Sequence, residues 1–211
     1  MTSADLARLR SVKRSDFLVA TVPMLFEADG GRASEALGQG LKDLMKAAEE
    51  AIEAGACLIV LSDRGMSPSQ AAIPSLLAVS AVHHHLLRKG LRNGAGLIVE
   101  SGEPREVMHF CLLAGYGANA VNPYLAFDVL QEMNQGGELG RTVEAVEVSD
   151  RFTAAIKKGI LKTMSKMGIS TLRSYMYAQL FEAIGLSKAF VDEFFTGTPS
   201  RIEGIALDEV A

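Results

Sequence analysis

Four stretches of the chain share one order, in which an amphipathic segment closes at a glycine and a short apolar run follows. They are residues 53–63 (EAGACLIVLSD), 92–102 (RNGAGLIVESG), 115–124 (GYGANAVNPY) and 166–175 (KMGISTLRSY). A glycine just past a helix end takes the left-handed conformation that a Cβ makes costly. The runs CLIVL and GLIV do not alternate with polar residues, which suits strands covered on both faces. The intervening stretches have the length of crossover helices between parallel strands. Residues 33–55 repeat apolar side chains at Leu37, Leu41, Leu44 and Ala48. Residues 73–90 open with Pro74, and residues 103–115 with Pro104 and Glu106, placing proline and acid in the first turn where they cost least. Residues 125–133 predict a shorter helix, and residues 16–26 (DFLVATVPMLF) a first strand.

The order reads β-α-β-α-β-α-β-α, a polar break, then α-β-α. This predicts an α/β fold of parallel β/α units. Five strands are too few for a closed eight-stranded barrel, so the units form a partial barrel or an open sheet, followed by a helical C-terminal part. Residues 134–140 (NQGGELG) are the best internal linker within what reads as one domain over residues 1–211.

Composition narrows the partners. At 48% hydrophobic and 22% charged, 211 residues can bury one real core. The net charge of -4 comes from acids and bases mixed along the chain, so no basic stripe argues for nucleic acid and no acidic arm for a charged partner. Cys57 and Cys111 lie in apolar surroundings and read as small buried hydrophobes, with no CxxC pattern. The start lacks a signal-peptide core and no apolar run nears the ~20 residues of a membrane span, so a cytoplasmic chain is expected. The final IEGIALDEVA has no evident stop, as in a piece cut from something longer.

In parallel α/β proteins, ligands gather at the carboxyl ends of strands. Those ends carry Ser62, Asp63 and Arg64, then Glu100, Ser101 and Gly102, then Asn122, Pro123 and Tyr124, then Thr171, Arg173, Ser174 and Tyr175. Asp63, Arg64, Glu100, Ser101, Asn122, Tyr124, Arg173 and Tyr175 therefore form the candidate ligand or domain-contact surface. The plainer alternative is that such residues cap the following helices and pair with one another, as Ser67 before Pro68 and Ser101 before Pro104 would.

Other features predict no catalytic, cofactor or metal residue. His83, His84 and His85 fall in a predicted helix, where consecutive side chains diverge by about 100° and cannot converge on one metal. His83 shares the stripe of Leu76, Val79, Leu86 and Leu87, while its neighbours face elsewhere. Gly30 and Gly31 in EADGGR precede a helix but lack phosphate-loop spacing and read as a turn. GTPSR, residues 197–201, reads as a loop, and no Ser-His-Asp or Cys-His set can be assembled.

Several segments together resemble one family. They are LSDRG, AAIPSLLAVSAVHHHLLRKGLR, GLIVESGEPREVMHFCLLAGYGANAVNPYLAFD, IKKGILKTMSKMGISTLRSY, and FEAIGLS with FFTGTPSRIEGI; they are similar to the central domain of the large subunit of glutamate synthase. The likeness runs from Leu6 nearly to the end. It implies an enzyme that makes two glutamates from glutamine and 2-oxoglutarate. An amidotransferase domain releases ammonia into an internal tunnel, and an FMN domain, fed through a 3Fe-4S cluster, reduces the imine. The central domain would have a β/α topology related to the flavin domain, hold the two catalytic domains as its partners and help frame the tunnel. It would itself carry neither FMN nor cluster.

The amidotransferase needs an N-terminal cysteine and the cluster three clustered cysteines, neither of which is present here. The expectation is a fragment or a reduced stand-alone relative, inactive by itself and prone to self-association. The rival reading is a stand-alone β/α protein that binds phosphate or flavin. The family pattern Arg-Gly-Ala-Gln after STLRSY is replaced by Met176, Tyr177, Ala178 and Gln179, and Asn119 stands where Asp is usual.

Overall fold

The computed structural model describes residues 1–28, 33–140 and 143–211. In chain order its elements are α1 (Ser3–Ser11), β1 (Leu18–Pro23), β2 (Leu25–Glu27), α2 (Ala33–Glu53), β3 (Ala56–Ser62), β4 (Gln70–Ala72), α3 (Ser75–Arg88), β5 (Gly96–Glu100), α4 (Val107–Gly115), β6 (Ala120–Asn122), α5 (Tyr124–Gln135), α6 (Ala145–Lys166), α7 (Leu172–Tyr175), β7 (Ala183–Leu186), α8 (Lys188–Phe194), β8 (Ser200–Ile205) and α9 (Leu207–Val210). Four parallel strands in the order β1-β3-β5-β6 make an open sheet.

The apolar runs become the inner strands because both faces are covered. On one face Ile59, Leu61, Leu97 and Val99 pack against Leu37, Leu41 and Leu44 of α2 and Leu77, Val82 and Leu86 of α3. Burying each such side chain stabilises the fold by ~1.5–3 kcal/mol. On the other face Val60 and Ile98 meet Leu6 of α1. A third cluster joins Cys111 and Ala114 of α4, Met164 of α6 and Tyr175.

The expected first strand is split at Met24. Its first half joins the sheet, whereas β2 pairs antiparallel with β4. Met24 itself is buried, its N–H bound to the Ser62 carbonyl at 2.8 Å and its carbonyl accepting from Ile73 N–H at 2.9 Å. The helix expected from residue 103 begins at Val107, because the Glu103 carboxylate is held by the N–H and hydroxyl of Ser75 at the start of α3.

The fifth expected strand is absent among the described residues. Gly168, at φ 71°, ends α6, and Thr171 caps the short helix α7 by accepting the Ser174 N–H. A parallel pair, β7 and β8, stands instead in the C-terminal part, so Ser200 and Arg201 of the GTPSR loop open a strand. Across residues 134–140, α5 and α6 are tied by the Asn134 side chain, which bonds both the N–H and the carbonyl of Val143. Phe127 meets Phe152 edge to face there. Gly30 and Gly31 lie outside the described residues. Among the described residues no helix is long and apolar enough to cross a membrane.

Candidate functional site

The carboxyl ends of β3, β5 and β6 lie side by side because the parallel register pairs Ser62 with Glu100 and Glu100 with Asn122. Glu100 is the centre of the resulting cluster and is only 3% exposed. Ser62 donates its hydroxyl to one carboxylate oxygen at 2.7 Å, and Arg64 Nε donates to the other at 2.8 Å. Arg10, reaching over from α1, adds two further bonds at 2.8 and 3.3 Å. Burial alone would raise the Glu100 pKa. The hydrogen bonds from Arg10, Ser62 and Arg64 outweigh burial and hold it below the ordinary value.

Asp63 faces the next strand end. It accepts the Ser101 hydroxyl at 2.7 Å and the Gly102 N–H at 2.9 Å, and Ser101 in turn accepts the Glu103 N–H at 3.1 Å. The Arg64 guanidinium lies 3.8 Å from the centre of the Tyr124 ring, a cation–π contact. Burial pushes the Tyr124 phenol up to about 12, with the Asp63 carboxylate beside it adding to the rise. Asn122 is fully buried and donates to the Met1 carbonyl at 3.1 Å and Ser3 Oγ at 3.3 Å.

Six of the eight residues expected at the surface, Asp63, Arg64, Glu100, Ser101, Asn122 and Tyr124, are thus brought to one end of the sheet. Arg173 and Tyr175 are not at a strand end. They belong to α7, where Tyr175 is buried beside Cys111 and Arg173 lies near Tyr177. The histidines diverge: His83 is buried against Arg92 and Tyr177, while His85 bonds Glu49 of α2 at 2.7 Å. Cys111 is buried as expected; Cys57 is only half-buried, its thiol donating to the Leu18 carbonyl at 3.4 Å.

Chemically the cluster is a polar lock around Glu100, in which Asp63 Oδ1 and Asn122 Oδ1 are buried without a hydrogen-bond partner among the described residues. Glu100 is an ionised acceptor with its lone pairs engaged, and Tyr124 holds its proton through the neutral range, so the two make no acid–base pair. Arg10, Arg64 and Tyr124 of the same chain stand at the strand ends, where such folds take ligands. Cys57 and Cys111 lie apart in the chain, on β3 and α4.

The lock predicts a measurable stability. Glu100→Gln keeps the size but removes the charge that Arg10 and Arg64 share. Those guanidinium groups are 35% and 46% exposed, so water screens part of the interaction. The expected loss at pH 7 is about 2 kcal/mol by urea titration. Because the folded pKa is depressed, this stability is present above the unfolded value and disappears as pH falls through the folded one. The difference from the parent should therefore shrink below about pH 4.

The model of the glutamate synthase central domain matches residues 1–187. The NADPH glutamate synthase large chain of Bacillus subtilis (strain 168) is 45% identical over 203 residues, covering 96% of this chain and 13% of that one. The NADH glutamate synthase of Saccharomyces cerevisiae is 47% identical over 174 residues, 80% of this chain and 8% of its own length. Ferredoxin-dependent glutamate synthase 2 of Synechocystis is 39% identical over 216 residues, 96% of this chain and 14% of that one. The chain spans 8% to 14% of the length of these relatives. Among solved structures, a double variant of flavocytochrome b2 with sulfite bound aligns with a TM-score of 0.51 at 15% identity, covering 89% of this chain and 46% of that one. That likeness is one of fold alone. With the family model matched over most of its length, the chain belongs to the glutamate synthase central domain family.

Proposed function

We propose that this chain is the central, non-catalytic domain of a glutamate synthase, linking the amidotransferase and FMN domains of the parent enzyme and helping to frame the ammonia tunnel between them. The observation that carries this reading is the strand-end lock. The Glu100 carboxylate and one Asp63 oxygen, polar groups that in a β/α enzyme would meet substrate or flavin, are here engaged by Arg10, Arg64, Ser62 and Ser101 of the same chain, and Tyr124 stacks on Arg64. The domain then contributes shape and rigidity, while FMN and the 3Fe-4S cluster sit in the neighbouring parts of the parent. As part of that enzyme the domain works in the cytoplasm.

The test is made on purified residues 1–211. The expected protein is colourless, shows no thermal shift with FMN, phosphate or 2-oxoglutarate, and releases no ammonia from glutamine. Bound flavin, or a shift with FMN or phosphate abolished by Arg64→Ala, would establish the rival reading of a stand-alone β/α binding protein. Ammonia release would sink the non-catalytic assignment outright.

A further inference from the structure

We infer that the cavity between the outer edge of β6 and helix α6 is a binding site for a small amphipathic anion, a carboxylate carried on an aliphatic or single-ring body. The site does not depend on the glutamate synthase reading above.

The cavity exists because the strand expected after α6 does not form. β6 is an edge of the sheet, which runs in the order β1-β3-β5-β6. Gly168 and Thr171 turn the chain into α7, so no strand follows β6 in the sheet among the described residues. Helix α6 is drawn against α4 at Gly159, where a Cβ would collide with Val107. Beside that contact a cavity of about 270 Å³ remains. Phe110 of α4, Phe152, Ile156 and Ile160 of α6, and Leu172 of α7 stand among its walls. Phe152 is fixed there by edge-to-face contacts with Phe110 and Phe127. The volume falls just below the small end of ordinary ligand sites, about 300–1,000 Å³, so the guest is small. Leu172 is 43% exposed, so this apolar lining meets water when the cavity has no guest.

The polar groups select the chemistry of the guest. Among the described residues that line the cavity none is acidic, and Lys157 alone has an ionisable side chain. Thr153, Ile156, Lys157 and Ile160 recur at helical spacing along α6, so a hydroxyl and an ammonium border one apolar stripe. Among the described residues Lys157 enters no ion pair and the Thr153 hydroxyl no hydrogen bond. Lys157 is also felt at the Met1 amine, which lines the same cavity. Burial first, and Lys157 against the opposing pull of Asp5, lower the pKa of that amine. Asp5 is committed to the start of α1, where it accepts the Thr2 N–H at 3.0 Å and the Thr2 hydroxyl at 2.7 Å. A carboxylate placed at this mouth therefore meets positive charge, while its apolar body covers phenylalanine and isoleucine.

Met1 also argues against a peptide strand as the guest. Its amine donates to the Val121 carbonyl of β6 at 3.1 Å, on the edge that an added strand would need for its own hydrogen bonds.

Calorimetric titration of residues 1–211 with octanoate, 3-phenylpropionate and neutral 1-octanol tests the site. One carboxylate should bind per chain, with octanol weaker by about fivefold, the worth of one partly screened charge pair. Lys157→Gln should weaken octanoate by the same factor and leave octanol unchanged. Thr153→Phe, which puts a ring into the cavity, should abolish binding of both. Absence of saturable binding, or binding that survives Thr153→Phe, would overturn the inference. Equal affinity for octanoate and octanol, or octanoate binding indifferent to Lys157→Gln, would overturn the anion assignment. Should Thr153→Phe fail to fold, octanoate carrying a photoreactive diazirine is used on the parent chain: labels in α4 and α6 support the site, and labels confined to other elements overturn it.

Discussion

Replacing Arg92 by alanine is expected to remove about 3–5 kcal/mol of folding stability. Arg92 sits in the turn before β5 and is 8% exposed, yet its partners are all neutral. Its Nε donates to His83 Nδ1 at 2.9 Å and one terminal nitrogen to the Ala95 carbonyl at 2.8 Å. The other reaches the Gly117 carbonyl at 2.9 Å, Asn119 Oδ1 at 3.3 Å and the Tyr177 hydroxyl at 2.5 Å. Truncation strands several buried acceptors at once, at a cost of ~1–3 kcal/mol for each left unsatisfied. Arg92→Lys should recover less than half of the loss, since one ammonium cannot span a planar fork of acceptors. Urea titrations of the two variants give the comparison; a lysine variant as stable as the parent would show that only the charge matters there.

Two strained or unusual partners, Tyr177 and Asn119, converge on this arginine. Tyr177 takes φ 63°, a left-handed conformation costly for a tyrosine. In return its ring stacks on His83 at 4.3 Å with 4° between planes, and its hydroxyl accepts from Arg92. Asn119 Oδ1 accepts from Arg92 at 3.3 Å and from the Leu97 N–H at 2.8 Å. The phenol oxygen on the guanidinium and the ring stacked on His83 offset the cost of the strained tyrosine. Gly117 must stay glycine beneath the stack, since φ is 123° and a Cβ would lie 3.1 Å from both rings.

The parallel sheet was legible because the runs CLIVL and GLIV are apolar on both faces, and only a covered strand tolerates that. The same glycine-then-apolar signal misled at residues 166–175, where Thr171 turns the chain into a helix cap instead of a strand. Arg173 and Tyr175 left the strand-end group with that strand. β7 and β8 were hidden because four residues interrupted by Gly185, and a run alternating Arg201, Ile202 and Glu203, give neither a continuous apolar run nor a full helical stripe. The strand-end residues Asp63, Glu100, Ser101 and Asn122 followed directly from parallel register. Arg10 did not, since it meets Glu100 from 90 positions away with no local pattern to mark it, and Arg92 meets Tyr177 from 85. Long-range pairing of polar side chains depends on how helices settle on the sheet, which residue periodicity does not encode.

Acid should begin to destabilise the protein near pH 6.5, well before its carboxylates titrate, and His83 is the main cause. Burial first, then the Arg92 charge and then His84, lower the His83 pKa to about 3. The geometry gives the same direction, because Nδ1 already accepts the Arg92 Nε–H and a proton placed there would face another donor. The unfolded chain takes up that proton near pH 6.5 and the folded one refuses it. Stability is therefore full above about pH 6.5 and falls with a slope of up to ~1.4 kcal/mol per pH unit from this one group. His84, also lowered by burial and by Arg88, adds in the same sense. Glu100 adds its own loss only at lower pH, because its folded pKa lies below the ordinary carboxylate value. The window from about pH 6.5 to 4.5 thus isolates the histidines. His83→Asn keeps an acceptor for Arg92 Nε but cannot titrate, and it sacrifices the stacked ring. It should be ~1–2 kcal/mol less stable than the parent at pH 7.5 and no less stable near pH 5, with a flatter slope between. Denaturant midpoints at half-unit steps read both numbers. An unchanged slope in His83→Asn would mean that the folded protein admits the proton, and that Arg92 gives up its bond to His83 without loss.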